Sequence, residues 1–184
     1  GGQAGGEGGR GGGGPRGGGG RGVARAVEAV PGGVCGLFSG CVGLAEGGDV
    51  DVGLALGDYI YECGNDYGGI PSPKPAGRTH SPTHETLTLD DYRARYRQYH
   101  QDVGLLALHA RHPVIAMYDD HEVANDWWRA GSQNHTPATD GDFHTRRDAP
   151  PQAFRECLPI RGNPADPTLA YRPSLFGNPG HLAI

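Results

Sequence analysis

The sequence predicts an α/β domain whose centre is a βαβ unit, in which helices connect two buried strands. Two short apolar runs, Val50–Asp58 (VDVGLALGD) and Val114–Tyr118 (VIAMY), have the length and the Val, Ile and Leu content of buried strands. Between them, residues 89–111 follow a helical pattern of apolar positions. A strand, a helical connection and a second strand in this order form parallel neighbours with a right-handed crossover.

Residues 1–22 are predicted to be a disordered tail, and residues 23–184 are predicted to be the folded domain. The tail consists mostly of Gly and Arg, which offer no apolar surface for a core. It contains RGG-like pieces, which are typical of tails that bind RNA or other polyanions. The alternative is a tail without a binding role, and composition alone leaves both interpretations open.

The first predicted helix runs from Leu89 to His100 and begins at a capping box. Thr88 and Asp91 have the spacing of the two capping residues, with Asp91 in the place that Glu or Gln usually takes. Apolar and aromatic residues recur along one face, at Leu89, Tyr92, Tyr96 and Tyr99. This stripe predicts that one face of the helix is buried.

A second helix is predicted from Val103 to Arg111. It should end there because Pro113 disfavours a helical conformation at the preceding residue. After the second strand and Trp128, the chain is rich in Pro, Gly and Asp, which predicts loops. One further short helix is expected at Pro151–Cys157.

Composition excludes few functions. The net charge of −5 is modest and indicates no particular partner. No apolar run approaches the roughly 20 residues that span a bilayer, and no apolar signal segment is visible at the N-terminus. The four cysteines show no CxxC spacing, which argues against a zinc knuckle and leaves disulfides open: Cys35, Cys41, Cys63 and Cys157.

Acidic residues follow both predicted strands. Asp58 ends the first, and Asp119 and Asp120 follow the second. In open α/β sheets, ligands bind beyond the carboxyl ends of the strands, so these acids should share one crevice. Two carboxylates about 4 Å apart repel by roughly 4 kcal/mol at an effective dielectric constant near 20. No Lys or Arg lies in either motif to offset this repulsion.

A hard metal cation is one solution, because such ions prefer oxygen ligands. His121 would add a nitrogen ligand or a proton donor. Purely structural roles are the alternative. Asp58 could be a turn residue, and Asp119 or Asp120 could cap a helix.

Four motifs together resemble the PhoD-like alkaline phosphatases, which belong to the calcineurin-like metallophosphoesterases. They are LGDYIYE (56–62), TLDDYRARY (88–96), DDHEVANDWW (119–128) and LPIR (158–161). The resemblance covers roughly residues 33–184 and implies part of a metallophosphoesterase sandwich. It also implies a metal-dependent phosphoric ester hydrolase that uses Fe³⁺ and Ca²⁺. Proteins of this family are usually secreted, periplasmic or on the cell surface.

The resemblance also implies roles for individual residues. Asp58 would be shared between two metals, and Tyr61 would be a phenolate ligand of iron. The remaining candidate ligands are Asp119 or Asp120 for the second metal, Asn125, and Cys41 with Cys35 as its rival. His121 would be the catalytic group, either contacting the transition state or donating a proton.

Since the family continues beyond Ile184 and supplies further ligands there, the chain is expected to be an N-terminal fragment of the catalytic domain, with little activity alone. The alternative is a non-catalytic relic whose tail binds RNA or another polyanion. Nearby residues are given structural roles: Glu122 orients a neighbour, Trp127 and Trp128 pack rather than contact a ligand, and Arg95 lies on a solvated helix face.

Overall fold

A computed structural model of the chain describes residues 24–27, 51–65, 79–160, 173–176 and 180–183. Its sheet is parallel and three-stranded, in the order β1 (Ala24–Val27), β2 (Val52–Ala55) and β3 (Val114–Ala116). Leu54 of β2 lies between Ala26 of β1 and Ile115 of β3. The sequence analysis did not predict β1, because its short ARAV segment includes an arginine and follows the Gly/Arg-rich stretch.

The predicted βαβ unit is confirmed. Helix α1 (Leu89–His100) and helix α2 (Val103–Arg111) connect β2 to its parallel neighbour β3, with the predicted bounds. Both strands are shorter than predicted. Strand β2 ends early because the chain turns at Gly57, whose φ of 106° is a left-handed conformation that favours glycine.

Helix α1 supplies the centre of the core. Thr88 Oγ1 accepts a hydrogen bond from Asp91 N at 3.3 Å, and Asp91 Oδ2 accepts one from Thr88 N at 2.9 Å, so the predicted capping box is present. The aromatic face is fully buried, as predicted: Tyr92, Tyr96 and Tyr99. This face packs against residues from β2, α2 and the helix that ends at Cys157.

The second half of the chain has more regular structure than predicted. The expected helix is confirmed as α5 (Pro150–Cys157), beginning one residue early with Pro150 in its first turn. Two short helices precede α5: α3 (Pro137–Asp140) and α4 (Phe143–Asp148). An antiparallel pair of strands follows it: β4 (Pro173–Phe176) and β5 (Gly180–Ala183). Four to six residues are too few to show a clear period in the sequence.

Arg95 corrects one structural prediction, because it is buried rather than solvated. Its guanidinium donates to backbone carbonyls of two loops: those of Tyr61, Cys63 (2.9 Å), Ser81 (3.3 Å), Pro82 (2.9 Å) and His84 (3.4 Å). The side chain therefore fixes the loop that leaves β2. An aromatic helix face and a buried arginine share this helix, and the sequence pattern revealed only the former.

The tryptophans that were expected to pack lie partly in solvent, because Trp127 is 36% exposed and Trp128 is 56% exposed. The predicted tail, residues 1–22, lies outside the described residues, so its conformation and its polyanion binding stay predictions. Within the described part of the chain, no helix combines the length and apolar character that a membrane crossing requires.

Candidate active site

The site begins at the turn that follows β2. Gly57 and Asp58 both have positive φ angles, 106° and 50°, and the turn lies against the segment after β3. A Cβ added to Gly57 would lie 2.3 Å from the Cβ of Asp119, so only glycine fits without displacing that segment. The two acidic loops expected from the sequence are therefore in direct contact.

Glu122 holds these two loops together. It lies fully buried in a short 3-10 helix, Asp120–Glu122. Its carboxylate accepts hydrogen bonds from backbone N–H groups of both loops: Asp58 (3.2 Å), Tyr59 (2.5 Å), Ile60 (3.4 Å) and Asp119 (2.6 Å). Burial raises the pKa of Glu122 to about 8, and these backbone donors oppose the rise. Glu122 thus orients its neighbours, as its sequence context predicted.

Three predicted residues converge in the crevice between the loops. One side-chain ligand atom from each of Asp58, Asp120 and His121 lies within 4.8 Å of the other two. Asp58 Oδ1 is buried and has no hydrogen-bond partner among the described residues. Tyr61 joins the group by donating its phenolic hydrogen to Asp58 Oδ2 at 3.2 Å.

The electrostatics of this cluster suit a cation. Burial raises the pKa of Asp58, and the charges of Asp120 and Asp119 raise it further against the opposing effect of His121. Burial and the charge of Asp58 raise the pKa of Tyr61 too, so a phenolate needs a positive charge beside it. An Oδ1 that no described residue bonds, together with this oxygen-rich donor set, fits a hard metal ion.

His121 is held by a residue that the sequence analysis did not single out. Glu62 is fully buried, and its Oε2 lies 2.7 Å from His121 Nδ1. Its Oε1 accepts from the backbone N of Asn125 and from Nδ2 of Asn134, each at 2.7 Å. Burial lowers the pKa of His121, but the hydrogen bond and charge of Glu62 outweigh it and raise the pKa to about 9. Glu62 ends the LGDYIYE motif, but nothing in the neighbouring sequence shows that its carboxylate is buried.

Cys63 also lies near this pair, and its sulfur, Glu62 and His121 form a second compact group of potential metal ligands. Cys63 is disulfide-bonded, however, so its sulfur is not available as a thiolate. Nδ1 of His121 is already engaged by Glu62. We therefore place the candidate metal site at the Asp58 cluster.

The remaining predicted ligands lie at the margin of the cluster or outside the described residues. Asp119 is exposed, lies against Gly57 and is the N-cap of the 3-10 helix, whereas Asp120 belongs to the three-residue cluster. Nδ2 of Asn125 donates to Gln133 and, at 3.4 Å, to Asp126. Cys41 and its rival Cys35 lie outside the described residues.

The fold and this geometry define an α/β protein with an acidic crevice at the carboxyl edge of its parallel sheet. The family model of the PhoD-like phosphatases matches residues 31–184. The chain therefore belongs to the PhoD-like phosphatase family, and the resemblance inferred from its motifs is confirmed.

Two relatives show how much of such a protein the chain represents. Over 133 aligned residues, the chain is 39% identical to alkaline phosphatase D of Bacillus subtilis (strain 168). The aligned segment covers 70% of this chain and 22% of that protein. A solved structure described as "Structure of PhoD" is similar with a TM-score of 0.67 and 31% identity, covering 89% of this chain and 31% of the other. This likeness confirms the predicted partial α/β fold. The chain spans less than a third of either relative.

Proposed function

We propose that this chain forms part of a metal-dependent phosphoric ester hydrolase, of the alkaline phosphatase or phosphodiesterase type, in which water attacks the phosphorus atom. Membership of the PhoD-like phosphatase family supports the class of reaction. The observation that carries the proposal is the buried Oδ1 of Asp58, which has no hydrogen-bond partner in the described part of the chain and lies in a crevice with Asp120 and His121.

Fe³⁺ and Ca²⁺ are the proposed metals, by the resemblance to the family. Tyr61 and Asp58 would hold iron, with Cys41 as the proposed sulfur ligand. Asp58 and Asp120 would hold calcium, with Asp119 and Asn125 as further candidates: these are oxygen donors, which calcium prefers. When bound, such ions lower the pKa of water and neutralise charge on the phosphoryl oxygens.

His121 is the proposed catalytic residue. Because Glu62 engages Nδ1, the nitrogen that remains for the crevice is Nε2. The hydrogen bond and the charge of Glu62 raise the pKa of His121 and so favour the protonated ring, which carries a hydrogen at Nε2. It can donate this hydrogen to the oxygen of the leaving group, which otherwise departs as an unstable alkoxide. Glu62 positions the ring through the other nitrogen.

Since the chain spans 22% of the Bacillus relative, we expect residues of a longer protein to complete the ligand set. The chain alone should hydrolyse a chromogenic phosphate ester slowly, and a form extended to the relative's length should do so faster. His121→Ala should abolish turnover in the extended form, whereas His144→Ala, at an exposed position on α4, should not. Absence of turnover in the extended form with both metals present would rule the proposal out.

A further inference from the structure

The turn formed by residues 125–134, here called the tryptophan turn, carries both tryptophans of the chain. Trp127 is 36% exposed and Trp128 is 56% exposed, and neither belongs to a core cluster of the described residues. Two neighbouring aromatic side chains in solvent leave a large apolar area uncovered, and uncovered apolar areas of this kind mark interaction sites.

The tryptophan turn is fixed to the candidate active site at both ends. Near its start, Asp126 N donates to Asp120 Oδ2 at 2.7 Å, and Asn125 N donates to Glu62. At its end, Asn134 Nδ2 donates to the same Glu62 carboxylate at 2.7 Å. The base is closed by Gln133 N, which donates to Asn125 O at 3.1 Å. The turn therefore has a defined position beside Asp120, which belongs to the candidate metal-ligand cluster.

Trp128 also has a defined orientation within the turn. Its backbone pairs with Gly131 through N–H···O bonds of 2.7 and 3.3 Å. Its ring lies so close to Gly131 that a Cβ there would approach the ring to 2.7 Å. One side of the indole thus packs against glycine, while much of the remaining surface is open to solvent. An aromatic surface that is held in place loses little conformational entropy when it binds a ligand.

We propose that the tryptophan turn is the subsite for the organic group of the ester substrate, and that this group carries an aromatic ring. The inference rests on the proposed function, because a phosphoryl group in the acidic crevice holds its organic substituent nearby. The acids of the crevice offer that substituent no apolar contact. Trp127 follows directly after the residue bonded to Asp120, and Trp128 presents a flat surface for stacking.

The test compares two phosphonates that resist hydrolysis, phenylphosphonate and methylphosphonate, with the full chain in the presence of iron and calcium. The only tryptophans lie on this turn, so the protein's tryptophan fluorescence reports on it. Phenylphosphonate should bind about three- to tenfold more tightly than methylphosphonate, as expected for one aromatic pair, and should change the fluorescence. Trp128→Ala should remove the preference, and Trp128→Phe should keep most of it.

Leu106→Ala is the matched control, because Leu106 is a comparably exposed apolar side chain, 52%, on α2. It should leave the preference for phenylphosphonate unchanged. Equal affinity for the two phosphonates in the unaltered chain would overturn the subsite and leave the proposed function standing. Binding of neither phosphonate would also overturn the subsite, whereas the proposed function is decided separately, by turnover in the extended form. A preference that persists in Trp128→Ala and in Trp127→Ala would place the aromatic contact elsewhere and overturn the subsite.

Discussion

Helix α1 and the loops at the carboxyl edge of the sheet both contain acidic side chains but use them differently. On α1, Asp91 bonds to Thr88 three residues away, and Asp90 pairs with Arg93 at the same spacing. In the loops, Glu62 reaches His121, 59 residues away, and Asn134, 72 residues away. The helix is therefore specified by local chemistry, whereas the site exists only once distant segments have come together. Substitutions that remove long-range contacts should therefore lower the free energy of unfolding more than substitutions that remove local contacts within the helix.

The largest effect on stability is expected from Glu122→Ala. The change leaves the buried N–H groups of Tyr59 and Ile60, and those of Asp58 and Asp119, without their acceptor. Each unsatisfied buried donor costs about 1–3 kcal/mol, so the free energy of unfolding should fall by about 4 kcal/mol. Urea denaturation measures this. Glu156→Ala, which removes an exposed partner of Arg93, is the control and should barely move the midpoint.

Arg95→Met should have the next largest effect, because it deletes the donor that joins the carbonyls of two loops. Methionine fills much of the same space, so the expected loss of about 3 kcal/mol comes mainly from unpaired carbonyl groups. Arg97→Met is the control at an exposed position on the same helix, and it shows whether the helix itself tolerates a methionine. Equal stability of the two variants would contradict the account of Arg95.

Gly57→Ala should cost about 2 kcal/mol, because alanine is strained at a φ of 106° and its Cβ meets Asp119. Gly141→Ala separates these two causes. Gly141 also has a positive φ, 84°, but a Cβ there has nothing within 4 Å. It should cost about 1 kcal/mol, the low end for a backbone conformation that glycine adopts most readily, because the position is exposed and free of contacts. Thermal unfolding of both variants shows whether Gly57→Ala costs more, as the contact with Asp119 predicts.

The smallest effect is expected from Asp91→Asn, which weakens the capping box of α1 by about 1 kcal/mol. Partial burial would raise the pKa of Asp91, but hydrogen bonds from Thr88 and Leu87 lower it below the ordinary value of 3.8. A lowered folded-state pKa stabilises the protein above the unfolded-state pKa, and this stability is lost as the pH falls through the folded-state value. Urea denaturation at pH 7 and near pH 3 should therefore show the two proteins converging in acid.

The same contrast explains which features the sequence predicted. The start of α1 followed from a capping box, its buried face from an aromatic stripe, and the end of α2 from Pro113, all of which act over a few residues. Asp58, Asp120 and His121 were predicted to meet because parallel strands end at one edge of a sheet. Glu62 and Arg95 were missed because nothing local distinguishes a buried charge from a solvated one. Their partners come from distant segments, so only the fold shows that they are buried.

The most direct test of the account is the metal content of the purified chain after exposure to iron and calcium, measured by elemental analysis. The account predicts bound metal that falls sharply in Asp58→Asn and in Asp120→Asn, because both carboxylates belong to the cluster. Asp148→Asn, a change at an exposed position on α4, should retain the metal. Equal metal content in all four proteins, or none above background in the unaltered chain, would contradict the claim that these residues form a metal site.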